Sequence, residues 1–267
     1  DVALRSITLV WLFHVFHRSA AWHDAGFRMD FLKLLYLHGD FTARHLEWSD
    51  INGNHLITDA AGLIVVGLFF DDANTPRKWQ QRGWKILTDE LPKQVFPDGV
   101  DFEVSTAYHR LVTEIFLLPA LYRRALKMDV PEDYTGRLTK MAEFTTAYSR
   151  TDGAVPLWGD ADDGRVLPFR GLENFDHRYL IAIIGHAFGD DGLAAQASGP
   201  TPEVFWTLGP TSRHSPSPAI SRTAASTSCE TIRTTSLSMA AQSVWPGAAA
   251  TATMIACPSR WRWRGCR

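Results

Sequence analysis

Along most of the chain, apolar residues recur at spacings of three and four rather than two, which is the period of a helix. The pattern predicts helices over Val2–Phe16 and over residues 29–37, 56–70, 76–91, 103–126, 131–148 and 172–188. Turns rich in Gly, Pro and Asp, such as FPDG at 96–99 and RTDG at 150–153, separate them. No segment alternates convincingly as a strand. LIVVGLFF (63–70) is apolar nearly all round and is predicted to be buried, whereas RKWQQRGWKILTDEL (77–91) is two-faced and predicted to lie outside. Such alternation of inner and outer helices predicts an all-α fold, an α/α toroid or solenoid of helical hairpins, although no short sequence repeat accompanies it.

Composition changes this picture in one place. With 267 residues and 45% hydrophobic content the chain has material for a sizeable core, and its formal charge of −2 argues neither for nor against a polyanionic partner. No apolar run reaches the roughly 18 residues of a membrane span, and the first residues show neither a basic n-region nor a small-residue cleavage site. A seam falls after Gly209. Residues 1–209 hold 20 basic and 28 acidic residues; residues 210–267 hold 7 Arg, one Glu, no Lys, no Asp, no Phe, no Tyr and a single leucine, Leu237. Ser and Thr supply 18 of those last 58 positions, a composition poorly able to offset the entropy of ordering, so disorder is expected there. All three cysteines, Cys229, Cys257 and Cys266, lie beyond the seam, so the predicted folded part is cysteine-free. A nucleic-acid role is not expected: the folded part is acidic and the basic tail carries no recognisable module.

Three polar stretches are candidates for chemistry. In INGNHLITDAAGL (51–63), Asn54 and His55 stand where an apolar helix starts, and Asn54 taken alone reads as an N-cap. In DFEVSTAYHRLVTEIFLL (101–118), Tyr108, His109 and Arg110 interrupt a long apolar helix, a position more often filled by satisfied core or rim groups than by catalysts. In PLWGDADDGRVLPF (156–169), Asp160, Asp162 and Asp163 suggest a calcium loop, but the glycine falls at the fifth position and no Glu stands at the twelfth, which leaves a turn as the better reading. His55 and Asp59, one helical turn apart, lack the HExxH spacing of a metal site, and no metal is expected.

Taken together and in order, GNHLITDAAGLIVVGLFF, a Trp-rich outer helix, ELPKQVFPDGVDFEVSTAYHRL, PLWGDADDGRVLPF and FWTLGP resemble the later part of the α-helical toroid of heparinase II/III-like polysaccharide lyases. The resemblance covers roughly residues 1–209 and implies an incomplete α/α toroid, with an N-terminal portion missing. It also implies β-elimination on a uronic-acid-containing polysaccharide, an acidic polymer of heparan, alginate or exopolysaccharide type, with no cofactor. The match gives Asn54 the task of neutralising the substrate carboxylate and Tyr108 that of protonating the leaving oxygen and sharing the base role. His55, His109 and Arg110 become candidates for substrate binding. Such lyases are commonly periplasmic or secreted. Two readings from other classes stay open: a toroid glycoside hydrolase using Asp160 with Glu103 or Glu173, and a non-catalytic carbohydrate-binding protein with Trp and Tyr rings as platforms.

The family's third catalytic residue is a histidine from a β-sandwich that follows the toroid, and no strands are predicted after Gly209. The chain alone is therefore expected to be weakly active or inactive. Residues 210–267 read as the product of a frame shift. Pairing the third base of each codon with the first two of the next forces Asp from Met254–Ile255, Ala from Trp245–Pro246 and Gly from Met239–Ala240. Permitted codons then turn residues 250–255 into His-Gly-His-Asn-Asp and residues 220–229 into Phe-Pro-Asp-Gly-Gly-Phe-Tyr-Val-Leu, both resembling the start of that sandwich. The nucleotide sequence is the check: stop codons or unrelated residues in the alternative frame across 211–267 would end the idea.

Overall fold

A computed structural model of the chain describes residues 1–161, 164–166, 176–197 and 202–209. The expectations for residues 210–267, and for Asp162, Asp163 and Glu173, lie outside the described residues. The described helices are α1 (Val2–Phe16), α2 (Ala25–Arg44), α3 (Asn54–Phe69), α4 (Asn74–Gln94), α5 (Thr106–Ala125), α6 (Glu132–Tyr148), α7 (Arg178–Phe188), α8 (Asp191–Gln196) and α9 (Pro202–Leu208), with a 3-10 turn at Ala20–His23. The sole pairing of extended backbone among the described residues is an isolated bridge between Val95 and Asp101.

The helices form two layers. In the inner row α1 packs on α3, α3 on α5 and α5 on α7; in the outer row α2 meets α4, α4 meets α6 and α6 meets α8. Burial follows the sequence pattern. Every residue of α3 from Leu56 to Leu68 is buried, and so is α5 from Thr106 to Arg123 apart from Tyr108. By contrast α4 buries Pro76, Trp79, Gln80, Gly83, Ile86, Leu87, Glu90, Leu91 and Gln94, a single stripe spaced by ones and threes. This is the hairpin alternation of an α/α toroid.

Several ends differ from the sequence reading. Helix α2 is longer than residues 29–37 because Asp24 caps it, its side chain accepting from the Phe27 N–H at 2.7 Å. Its buried positions, Leu35, Gly39 and Thr42, are too few to show as periodicity. Helix α5 starts at Thr106 rather than at 103, because Ser105 is its N-cap and Val104 adopts a left-handed φ of 53°.

The tightest inter-layer contact is α3 against α4. A Cβ on Gly67 would lie 2.5 Å from the Pro76 carbonyl, and one on Gly83 would lie 2.5 Å from the Ala60 carbonyl. Each glycine admits the other helix's backbone. Alanine at 83 gains about 0.5–1 kcal/mol of helix propensity but forces apart two packed backbones, an overpacking cost of about 1–3 kcal/mol. Gly83→Ala is therefore expected to lower the urea midpoint of the chain with an unchanged m value; a raised midpoint would show that the helices part freely.

Candidate active site

The site assembles at the starts of α3 and α5. Gly53, not Asn54, is the N-cap of α3; Asn54 is the first helical residue and its side chain does not cap. The expectation of an asparagine cap is corrected by a longer-range partner. Glu103, in the loop between α4 and α5, accepts from the Asn54 backbone N–H at 3.2 Å, and the Asn54 amide nitrogen reaches its two oxygens at 3.0 and 3.2 Å. An acidic group from 49 residues away thus satisfies a helix N–H that glycine leaves bare.

The preceding turn has its own carboxylate. Glu90 of α4 accepts from Asn52 Nδ2 at 3.2 Å, Lys93 Nζ at 2.7 Å and Gln94 Nε2 at 3.1 Å. Burial pushes this carboxyl up, but the hydrogen bonds from Lys93, Gln94 and Asn52 outweigh it and hold the group below its usual range. His55 points elsewhere. Its Nδ1 lies 2.7 Å from Glu47 Oε2, with both side chains largely exposed, and the Glu47 amide donates to Asp59 Oδ2 at 3.0 Å. Burial raises the Asp59 carboxyl, and that amide partly counters it. Among the described residues no three His, Cys, Asp or Glu side chains converge as a metal site.

On α5, Ser105 closes the first turn by accepting from the Tyr108 N–H at 3.2 Å, while its hydroxyl donates to the Asp160 carbonyl. Thr106 donates its N–H to the Trp158 carbonyl at 3.1 Å and its hydroxyl to the Pro156 carbonyl at 2.8 Å. Arg110 Nη2 donates to the Gly164 carbonyl at 2.8 Å. The 156–166 loop is thereby stitched to the turn that bears Tyr108, and further along Glu114 holds it by accepting from the Val166 N–H at 2.6 Å. Trp158, 66% exposed, stands on this frame.

Tyr108 is half-buried, the one break in the buried run of α5. His109 and Arg110 are each 1% exposed. His109 Nε2 lies 3.1 Å from Thr145 Oγ1 and 3.2 Å from the Met141 carbonyl, and its ring meets Phe144 edge-on at 5.0 Å. Burial lowers its pKa to about 4, with the Met141 carbonyl pulling slightly the other way. Both side chains are buried within the packing of α5, beside the half-buried Tyr108.

Sequence reasoning missed Glu103 as a partner of Asn54, and it missed Asp101. Asp101 is 0% exposed, and among the described residues neither carboxyl oxygen completes a hydrogen bond. Burial and then the neighbouring Glu103 charge raise its pKa to about 7, while the Glu103 and Phe102 amides approach and pull it down without meeting bonding geometry.

Residues 1–173 match the family described as Heparinase II/III N-terminus. The heparin-sulfate lyase of Pedobacter heparinus is 29% identical over 163 residues, covering 60% of this chain and 24% of that protein. The heparin-sulfate lyase of Bacteroides stercoris is 31% identical over 113 residues, covering 41% and 17%. Among solved structures, heparinase III superposes with a TM-score of 0.58 at 21% identity, over 75% of this chain and 31% of that one. The heparan sulfate lyase HepC of Pedobacter heparinus gives 0.55 at 24% identity, over 75% and 30%. The chain spans about a quarter or less of the length of the curated relatives it matches.

The raised Asp101 carboxyl has a measurable sign. Its folded pKa of about 7 exceeds the unfolded value of 3.8, so the folded state holds a proton that the unfolded state releases between them. Stability from this group is full below pH 3.8 and is lost as pH rises through 7. Asp101→Asn is expected to stabilise the chain at pH 8 by roughly 1–3 kcal/mol and to change it little near pH 4. Denaturant midpoints for both proteins at the two pH values provide the check; equal midpoints at pH 8 would show a solvated carboxylate.

Proposed function

The chain belongs to the heparinase II/III family, and on that premise we propose that residues 1–209 carry the amide and phenol of a β-elimination site for uronic-acid polysaccharides. The observation that supports this most directly is the link from the Asn54 amide to Glu103, two residues before the Ser105 cap that closes the turn bearing Tyr108. The relatives named heparin-sulfate lyases make a heparan-type polymer the first substrate to try.

In such an elimination a base takes the proton α to the uronate carboxylate. The C–H electron pair forms the new double bond as the glycosidic C–O bond breaks, and the departing oxygen receives a proton. The difficulty is electrostatic, because the carboxylate must accept further negative charge in the transition state. Asn54 meets that need: an amide N–H donates to the developing charge without titrating and without depending on pH. Tyr108 supplies the proton to the leaving oxygen and shares in the abstraction, a transfer that requires it within hydrogen-bond reach of the bond cleaved. His109 and Arg110, buried beside it, hold the turn rather than the sugar. The activity is proposed for the whole protein, of which residues 1–209 account for these two groups.

In the whole protein, Asn54→Ala is expected to lower kcat by roughly 10²–10³-fold and Tyr108→Phe by roughly 10²–10⁴-fold. The readout is ultraviolet absorbance of the unsaturated uronate end, measured over a panel of heparan, alginate and exopolysaccharide substrates. Undiminished elimination after both substitutions, or cleavage products lacking the double bond, would overturn the proposal; the latter result would favour hydrolysis.

A further inference from the structure

A neutral amide has two ends, and only its NH2 end serves a substrate carboxylate. We propose that Glu103 is the positioning residue for Asn54: it selects which end of the amide faces inward and leaves one N–H for the substrate. The inference rests on the elimination reading above.

The selection follows from donor and acceptor inventory. An ionised carboxylate only accepts, so the Asn54 amide meets Glu103 with its nitrogen, 3.0 and 3.2 Å from the two oxygens. The flipped amide would set Oδ1 against a carboxylate at the same distance, a repulsive contact in place of a charge-assisted bond. The Asn54 backbone N–H, 3.2 Å from Oε1, pins the same carboxylate to the start of α3. Because the amide nitrogen carries two hydrogens and Glu103 shares one between its oxygens, the second is left for another acceptor.

The surroundings are built to hold Glu103 in place. Val104, which follows it, has a φ of 53°, an outlying conformation for a β-branched residue, and its N–H closes a turn on the Asp101 carbonyl at 3.0 Å. That strained turn sends the Glu103 side chain to Asn54 and leaves Ser105 to cap α5. On the other side, Glu90 grips Asn52, so the Asn52–Gly53–Asn54 turn is clamped by two carboxylates from different elements. Glu103 contributes negative charge near an anionic substrate, which opposes binding; its benefit must appear in the rate step, through orientation.

The test is a double-mutant cycle in the whole protein, read by the elimination assay. Glu103→Gln keeps the shape but offers both a donor and an acceptor, so either amide flip is tolerated. It is expected to lower kcat by about 10- to 100-fold with KM unchanged or reduced. In the Asn54→Ala background Glu103→Gln is expected to have no further effect, since a residue acting through Asn54 has nothing left to position. Independent, multiplying losses would overturn the proposal, as would a Glu103→Gln enzyme with undiminished kcat. A variant whose kcat loss merely tracks a lowered melting temperature would assign Glu103 to folding and likewise overturn it. If Asn54→Ala alone leaves kcat intact, the elimination reading itself has failed, a result distinct from failure of the cycle.

Discussion

Helix α3 is buried at every position from Leu56 to Leu68, so no face of it is left for water, and neighbours must enclose it on all sides. It packs against α1, α2, α4 and α5, which is what creates an inner row and an outer row from a chain of hairpins. The α4 contact is the closest, admitted by glycines at 67 and 83 that let the two backbones meet. A helix so enclosed presents only its ends. Its N-terminus, with N–H groups unsatisfied by any earlier turn, becomes the polar end of the layer.

The site exploits that end. Glu103 satisfies an N–H at the start of α3 and orients the first side chain of the helix, while Ser105, two residues later, caps α5. Carboxylates dominate this floor: Glu90 beneath Asn52, Glu103 beneath Asn54 and the buried Asp101, its pKa pushed up by burial, beside it. A neutral amide is well suited to such surroundings. A lysine in its place would be drawn into ion pairs with Glu103, whereas an amide forms its bond to one carboxylate and keeps a hydrogen for another.

Much of this was legible in the sequence, and the parts that were not share a cause. Periodicity located α1 at its observed bounds and α3, α4 and α6 within a few residues, because each buries a stripe or a full circumference large enough to dominate its window. It shortened α2, whose buried positions are sparse, and it began α5 too early by reading Glu103 as helical. The order of motifs carried the family. What no local pattern revealed was the pairing of Asn54 with Glu103, 49 residues apart, or the inward orientation of His109 and Arg110. Polar residues within an apolar helix signal importance without saying which way they face, and only the packing of α6 against α5 turns His109 toward Thr145.

The left-handed Val104 has an implication for how this loop tolerates change in length. Four residues separate Glu103 from Tyr108: the strained Val104, the cap Ser105 and the first two helical residues, Thr106 and Ala107. Inserting or deleting one amino acid between the carboxylate and the phenol would rotate Tyr108 by about 100° around the α5 axis, away from the rim and into the core. This short span therefore behaves as a fixed ruler.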